Sequence, residues 1–381
     1  MKKTLLTLSI AAVFAVGASA AEFKAGTYTA KAPGIHGDVT VTVTFTKDKI
    51  ADVKVTHSET PGIGSKAAEL LPGRIVERQS PQVDGVTGAT ITSTAIRTAV
   101  ADTVKQAGAD PAALVPLAVK KQAKNETVDT DVVVVGGGGA GMSATIRTRM
   151  NGLNVVLVEK MPFIGGAASI SGGQVVAQGS KLQKAFGVTD DSVESMVKDF
   201  QANGHNLNSK LTLYAKNGGP TIDWLHDQVG VKFIPNDLPF LAEYSHRRAL
   251  EFQGGAGTMA QHLREVIGSN GAKVLFNTRV EKLIVEDGKV TGVEAVDGNT
   301  GTKYTIRAKK TLLTTGGYGN NKNLLTDTYK NTLYYGPVSS TGDGLQMAQK
   351  LGVKTQLLEY GKRYPNGIEV APGKAKSTIY A

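Results

Sequence analysis

Val132-Val133-Val134-Val135-Gly136-Gly137-Gly138-Gly139-Ala140-Gly141 is the stretch from which the fold is read. Four successive valines, with no polar residue alternating between them, suit a strand buried on both faces of a parallel sheet. The glycines that follow fit G-x-G-x-x-G, with Gly136, Gly138 and Gly141 at the fixed positions. A helical pattern runs over Ala140–Asn151, and a second apolar strand, Val155–Val158, ends at Glu159, 18 residues past Gly141. This is a strand-helix-strand unit of Rossmann type. In such a unit the first glycine permits the tight turn, the second lets a pyrophosphate approach the backbone, and the third packs helix against strand. The helix N-terminus offers free N–H groups and the positive end of its dipole to phosphate. Glu159 is placed to accept hydrogen bonds from ribose hydroxyls. A dinucleotide site is therefore expected here.

Further glycine pairs flank this unit. Gly165-Gly166 and Gly172-Gly173 come after Glu159; Thr314-Thr315-Gly316-Gly317-Tyr318-Gly319 closes a late strand, and Thr341-Gly342-Asp343-Gly344 opens a last helix. Read alone, Asp343 would be a helix N-cap and Val280 a core residue. Between these motifs Leu263–Ile267, Val274–Phe276, Lys282–Val285, Val290–Ala295 and Thr311–Thr314 continue the α/β pattern.

Upstream, Val39, Val41, Val43 and Phe45 alternate with threonines, which is the period of a half-buried strand. Ser65–Val76 has a helical pattern, Asp84–Ser93 reads as a glycine- and threonine-rich loop, and Thr94–Gln106 is helical again. Residues 22–107 form a small α+β module, and 108–127, with proline, lysine and polar residues, read as a linker. The α/β domain is placed at 128–358. Residues 1–20 carry Lys2-Lys3, an uncharged apolar run and Ala18-Ser19-Ala20, the marks of a bacterial secretory signal peptide, so the chain is expected in the periplasm.

Composition narrows the function. Among 381 residues there is no Cys, which removes disulfides, thiolate metal sites, iron–sulfur clusters and C-x-x-C-H haem attachment; no metal site is read. Glycine reaches 45 residues, well above ordinary usage, in keeping with close backbone-to-ligand contacts. Without Lys2 and Lys3 the formal charge falls from +10 to +8, and the lysines are scattered. Nucleic-acid binding has little support, whereas a mildly basic surface can steer anionic substrates or acidic redox partners.

Two motif sets carry resemblances. Those of residues 130–360 resemble the FAD-binding succinate dehydrogenase/fumarate reductase flavoprotein superfamily. The resemblance puts Gly136, Gly138, Ala140, Gly141, Glu159, Ala167, Ala168, Gly172, Gly173, Val280 and Asp343 at positions that contact a non-covalent FAD. Val280 would offer backbone atoms to adenine, and Asp343 would meet the ribityl chain. Asp84-Gly85-Val86-Thr87-Gly88-Ala89-Thr90 resembles the flavinylation motif of FMN-binding domains, D-x-x-[ST]-G-A-T. It implies FMN esterified through its phosphate to Thr90, with Asp84, Thr87, Gly88 and Ala89 forming the motif read by a flavin transferase. Together the two sets resemble periplasmic fumarate-reductase-like enzymes, relatives of flavocytochrome c in which an FMN domain replaces the haem domain, and within them the urocanate reductase subtype.

That likeness implies an oxidoreductase acting on CH–CH groups in anaerobic respiration. Electrons would pass from a membrane-anchored, quinol-linked cytochrome or similar donor to FMN, then FAD, then the C=C bond of an unsaturated acid. Where fumarate reductases have a substrate-binding His before Pro, this chain has Tyr364, and Gly173 joins it on the substrate side; a Tyr suits a ring-bearing, urocanate-like enoate better than a second carboxylate. The alternatives are fumarate itself, or an electron carrier without a substrate site of its own. Residues 359–381 are expected to begin a substrate clamp domain whose proton-donating Arg lies past Ala381, so no catalytic residue is assigned within 1–381. His246-Arg247-Arg248 has the look of an anion clamp, but the resemblance puts this stretch near the cofactor.

Overall fold

The computed structural model describes residues 22–117, 123–202, 204, 208–235, 238–361, 363, 367–371 and 374–377. Residues 1–20, read above as a signal peptide, Tyr364 and residues 118–122 of the stretch read as a linker lie outside them.

In the first unit β1 (Gly26–Pro33), β2 (Asp38–Phe45) and β3 (Ile50–Thr56) form an antiparallel sheet with β2 in the middle. Val39, Val41, Val43 and Phe45 all point inward, as their alternation requires. Two helices, α1 (Gly64–Arg78) and α2 (Thr90–Gln106), cover that face. They contribute Ala67, Leu71 and Ile75, and Ile96, Val100 and Val104, each set spaced four apart along one helical stripe.

The helix α2 starts at Thr90, four residues earlier than the sequence pattern indicates. Gly88, at φ +87°, turns the chain in a conformation that favours glycine. Ala89 N–H then closes a turn onto Val86 O, and Ser93 N–H donates to Ala89 O as the first helical bond. The Ser93 hydroxyl accepts from Val86 N–H at 2.9 Å, folding the loop back on the helix. Thr90 to Ser93 are thus a first turn and not loop.

The second unit is built on a six-stranded sheet. Its strands β4 (Asn125–Val135), β5 (Val155–Val158), β8 (Lys273–Leu275), β9 (Thr278–Glu286), β10 (Lys289–Asp297) and β11 (Lys303–Leu313) run in the order β8-β5-β4-β11-β10-β9. Four are parallel, and β10 and β9 are added antiparallel. The valine run behaves as its composition demands: Val132 and Val134 enter the core on one face, Val133 and Val135 the core on the other. β4 begins at Asn125, inside the stretch read as linker, because Asn125–Thr127 pair with Lys303–Thr305 of β11.

The helix α3 (Gly139–Met150) joins β4 to β5. A short pair, β6 (Gln174–Val176) and β7 (Ala249–Glu251), brackets a helical insertion of α4 (Lys181–Ala185), α5 (Val193–Ala202) and α6 (Asn208–Trp224). After β7 come α7 (Gly255–Ser269), α8 (Asp327–Lys330), α9 (Asp343–Gln349) and a hairpin of β12 (Gly367–Ala371) and β13 (Lys374–Ser377). Among the described residues no helix is long and apolar enough to cross a membrane.

Candidate flavin sites

At the C-terminal end of β4 the glycine turn opens a cleft of about 350 Å³. Its lining includes Gly136, Gly138, Ala140, Glu159, Ala167, Ala168, Val280 and Asp343 from the sequence-predicted set. The glycines divide as the Rossmann geometry requires. A Cβ on Gly136 would lie 2.6 Å from Thr314 O, and one on Gly141 would overlap the Gly136 carbonyl, so these two let α3 and β11 close on β4. Gly138, Gly316 and Gly317 meet nothing within 4 Å on the side a Cβ would occupy, which leaves their backbone open to a ligand. Gly138 is also the N-cap of α3 and makes no side-chain capping bond, so the helix presents its N-terminal N–H groups uncapped. Gly141 stands behind the cleft as a packing residue. Gly172 is exposed and Gly173, at φ +87°, is buried with its carbonyl accepting from Phe252 N–H at 2.9 Å; neither lines this cleft.

Glu159 is buried. Its two oxygens accept from Gly137 N–H at 2.6 Å and Met161 N–H at 2.8 Å, which orients the carboxylate at the cleft and leaves lone pairs for ribose hydroxyls. Burial pushes its carboxyl above the usual range, and the two backbone bonds only partly offset this.

Asp343 is the first residue of α9, and Gly342 at φ +77° takes the cap position. The Asp343 carboxylate is held by Lys160 Nζ at 2.9 Å, Arg279 Nη2 at 2.9 Å and the Thr341 hydroxyl at 2.8 Å. Burial alone would raise this carboxyl; the Lys160 and Thr341 bonds and the Lys160 and Arg279 charges outweigh it and hold it below the ordinary range. Lys160 and Arg279 also line the cleft. Neither was read from the sequence, although each adjoins a residue that was, Glu159 and Val280.

The second site is the loop before α2. Thr90 is exposed at the first position of that helix, whose N-cap, Ala89, has no side-chain capping bond. Asp84 and Thr87 are exposed too, and Asp84 O accepts from Arg74 at 3.3 Å. Beneath them Glu59, unnoticed in the sequence, braces the turn. Its buried carboxylate accepts from Ile35 N–H at 2.8 Å, His36 N–H at 3.1 Å and the Thr92 hydroxyl.

His246-Arg247-Arg248 is no anion clamp, nor does it line the FAD cleft. Arg248 is fully buried, with Asp191 at 2.6 Å and Asp199 at 2.5 Å. Arg247 donates to Leu238 O at 2.6 Å, and His246 faces Asp190 and Asp191. The charges are spent on locking α5 and its approach loop to β7.

The two flavin sites adjoin. A smaller cavity of about 120 Å³, lined by Ile63 and Gly88 from the first unit and Met161 and Phe163 from the second, shares Glu159, Gly166, Pro337 and Ser339 with the large cleft.

Comparison with known proteins agrees with this geometry. An FAD binding domain family matches residues 131–368, and an FMN-binding domain family matches residues 34–105. Urocanate reductase of Eggerthella lenta is 33% identical over 360 residues, covering 91% of this chain and 59% of that protein. A fumarate reductase (cytochrome) of Shewanella frigidimarina is 33% identical over 253 residues, covering 64% of this chain and 43% of that one. Among solved structures, the open conformation of a flavocytochrome c3 fumarate reductase superposes with a TM-score of 0.55 at 33% identity, covering 59% of this chain and 40% of that one. The chain spans about 59% of the length of the urocanate reductase, and less of the other relatives. The backbone-lined cleft with its uncapped helix fits FAD, and the exposed Thr90 at a helix start fits the FMN motif: the chain belongs to the FAD binding domain family and carries an FMN-binding domain in front of it.

Proposed function

We propose that the protein is a periplasmic, flavin-dependent reductase of an α,β-unsaturated carboxylate, with a urocanate-like, ring-bearing enoate as substrate. The observation that carries the reading is the adjacency of the Thr90 loop and the FAD cleft: Gly88 of the loop lines the small cavity between them, and that cavity shares four lining residues with the cleft. When bound, FMN supplies one-electron exchange with a donor and FAD supplies hydride to an activated C=C bond. The chain's own residues bind and orient. Gly138, Gly316 and Gly317 give backbone access, Glu159 would hold the ribose, and Lys160 and Arg279 keep the Asp343 carboxylate charged at the cleft. The similarity to urocanate reductase and the leader at 1–20 support substrate class and compartment. A quinol-linked cytochrome would feed the FMN, and a flavin transferase would attach it to Thr90. A covalent bond retains a flavin outside the cytoplasm, where no pool replaces it.

The experiment is oxidation of reduced viologen by the whole protein, co-expressed with a flavin transferase, in the presence of urocanate, acrylate or fumarate. The expected result is a higher kcat/KM for urocanate than for fumarate, with in-gel flavin fluorescence that survives denaturation and disappears in Thr90→Val. Preference for fumarate overturns the substrate assignment, and equal fluorescence in Thr90→Val overturns the attachment site.

A further inference from the structure

Phe163 and Arg264 belong to the FAD-binding unit but reach the FMN-binding unit. Phe163 packs against the hydrophobic core of the first unit. A Cβ on Gly88, two residues before Thr90, would meet the Phe163 ring at 3.0 Å and Met161 Cε at 3.2 Å, so a side chain there would press on both, at a backbone φ of +87° that itself favours glycine. Arg264, on α7, donates to Pro61 O of the first unit at 3.4 Å and to Ile164 O of its own unit at 3.0 Å. Its remaining bonds go to the Gln261 amide oxygen, at 3.2 and 2.9 Å, and to the Ser169 hydroxyl at 3.5 Å, and no ion pair within 4 Å involves it among the described residues. The guanidinium lies over Gly62, at φ +72°, where a Cβ would overlap it. Between the two contacts runs a cavity of about 440 Å³ rimmed by Ser65, Lys66 and Glu69 on one side and Gln261, Glu265 and Phe276 on the other.

At both contacts a glycine of the FMN unit, Gly62 or Gly88, receives a large side chain of the FAD unit. A guanidinium in no ion pair, bonded to Gln261 and Ser169 of its own unit and to a carbonyl of each unit, is placed as an orienting group. We propose that Phe163 and Arg264 are positioning residues that seat the Thr90 loop at the mouth of the FAD cleft. The two flavin sites then act as one electron-transfer unit instead of two bodies meeting by diffusion on a linker. A flexible tether by itself gives an effective concentration of order mM, on the order of that for short linkers; a fixed seat removes the search altogether. The inference rests on the functional reading above. The transfer it serves moves two electrons and two protons from reduced FMN, which is oxidised, to oxidised FAD, which is reduced.

Two measurements on the whole protein decide it. In the first, flavin-loaded wild type, Phe163→Ala/Arg264→Gln and Phe163→Leu are reduced through FMN in a stopped-flow instrument, and FAD reduction is followed. FAD reduction is expected to slow at least tenfold in the double variant and to stay near wild type in Phe163→Leu. Reoxidation of pre-reduced FAD by the enoate should be unchanged within twofold. The second needs no flavin. The chain contains no Cys, so Lys66→Cys with Glu265→Cys makes a unique pair across the seam for a short bismaleimide. Cross-linking should be efficient on the wild-type seam and severalfold weaker once Phe163→Ala/Arg264→Gln is added. An unchanged FAD reduction rate in a double variant with normal flavin content overturns the proposal, as does cross-linking that ignores the two substitutions. Cross-linking as expected in a protein whose FMN is not on Thr90 supports the seat and sinks the functional reading instead.

Discussion

Glu159 shows what one side chain contributes. It faces a cofactor cleft, yet its environment is dry, and its pKa is raised by burial. A carboxyl with a higher pKa in the folded state favours folding while protonated. That contribution is complete below its unfolded-state pKa and is lost as pH rises through the raised folded value. Glu159→Gln cannot ionise and lacks this slope. In FAD-free protein, urea melts between pH 4 and 8 should show the stability difference moving steadily in favour of Glu159→Gln as pH rises. A difference flat in pH would show that the carboxylate is not desolvated. With FAD bound, the same substitution should weaken retention, because a charge-assisted bond to ribose, worth about 1.5–3 kcal/mol, is replaced by a neutral one.

At the scale of elements, the helical insertion between β6 and β7 depends on Arg248. Nε and Nη2 form a fork with Asp191 at 2.7 and 2.6 Å, Nη1 takes Asp199 at 2.5 Å, and Nη2 also reaches the Ser195 hydroxyl at 3.0 Å. Burial works against both aspartates, but the Arg248 bonds, with Gln183 and Ser192 on Asp191 and Ser245 on Asp199, hold them below the usual carboxylate range. Removing one partner of such a buried cluster leaves uncompensated charge and costs about 3–5 kcal/mol. Arg248→Ala should therefore destabilise the second unit by that amount, read by the fluorescence of Trp224 on α6, the chain's single Trp. A loss under about 1 kcal/mol, the range of an exposed pair, would refute the structural role.

At the scale of the molecule, the chain has separate hydrophobic cores. The buried residues of the first unit's core all lie within 23–114, with Phe163 of the second unit packed against it, and the two cores of the second unit lie on opposite faces of its sheet. Leu71 is fully buried in the first. Leu71→Ala leaves a cavity there and should cost about 2–5 kcal/mol. Because the single Trp belongs to the second unit, the effect should appear in an early far-UV circular dichroism transition and leave the Trp224 transition and FAD retention unchanged. A Trp224 transition that shifts by the same amount would mean that the units unfold as one.

Local chemistry determined a good deal by itself. A valine run without alternation suits a doubly buried strand, and glycines at 136, 138 and 141 after it suit the tight turn into a helix. Alternating valines at 39, 41 and 43 specify a one-sided sheet. These features use contacts close in sequence, so they are legible without a fold. The early start of α2 was not, because it depends on Ser93 folding back to Val86 and on Glu59, 33 residues upstream, reaching Thr92. Lys160 and Arg279 were silent for the same reason: their partner, Asp343, lies 183 and 64 residues away. His246-Arg247-Arg248 looked like a ligand site because charge in a sequence carries no mark of burial; only packing against Asp191 and Asp199 makes Arg248 structural. The seam between the flavin units belongs wholly to the tertiary structure. The sequence marks Gly88 only as part of the flavinylation motif and does not single out Gly62; their closeness to Phe163 and Arg264, 75 and 202 positions later, exists only once the chain is folded.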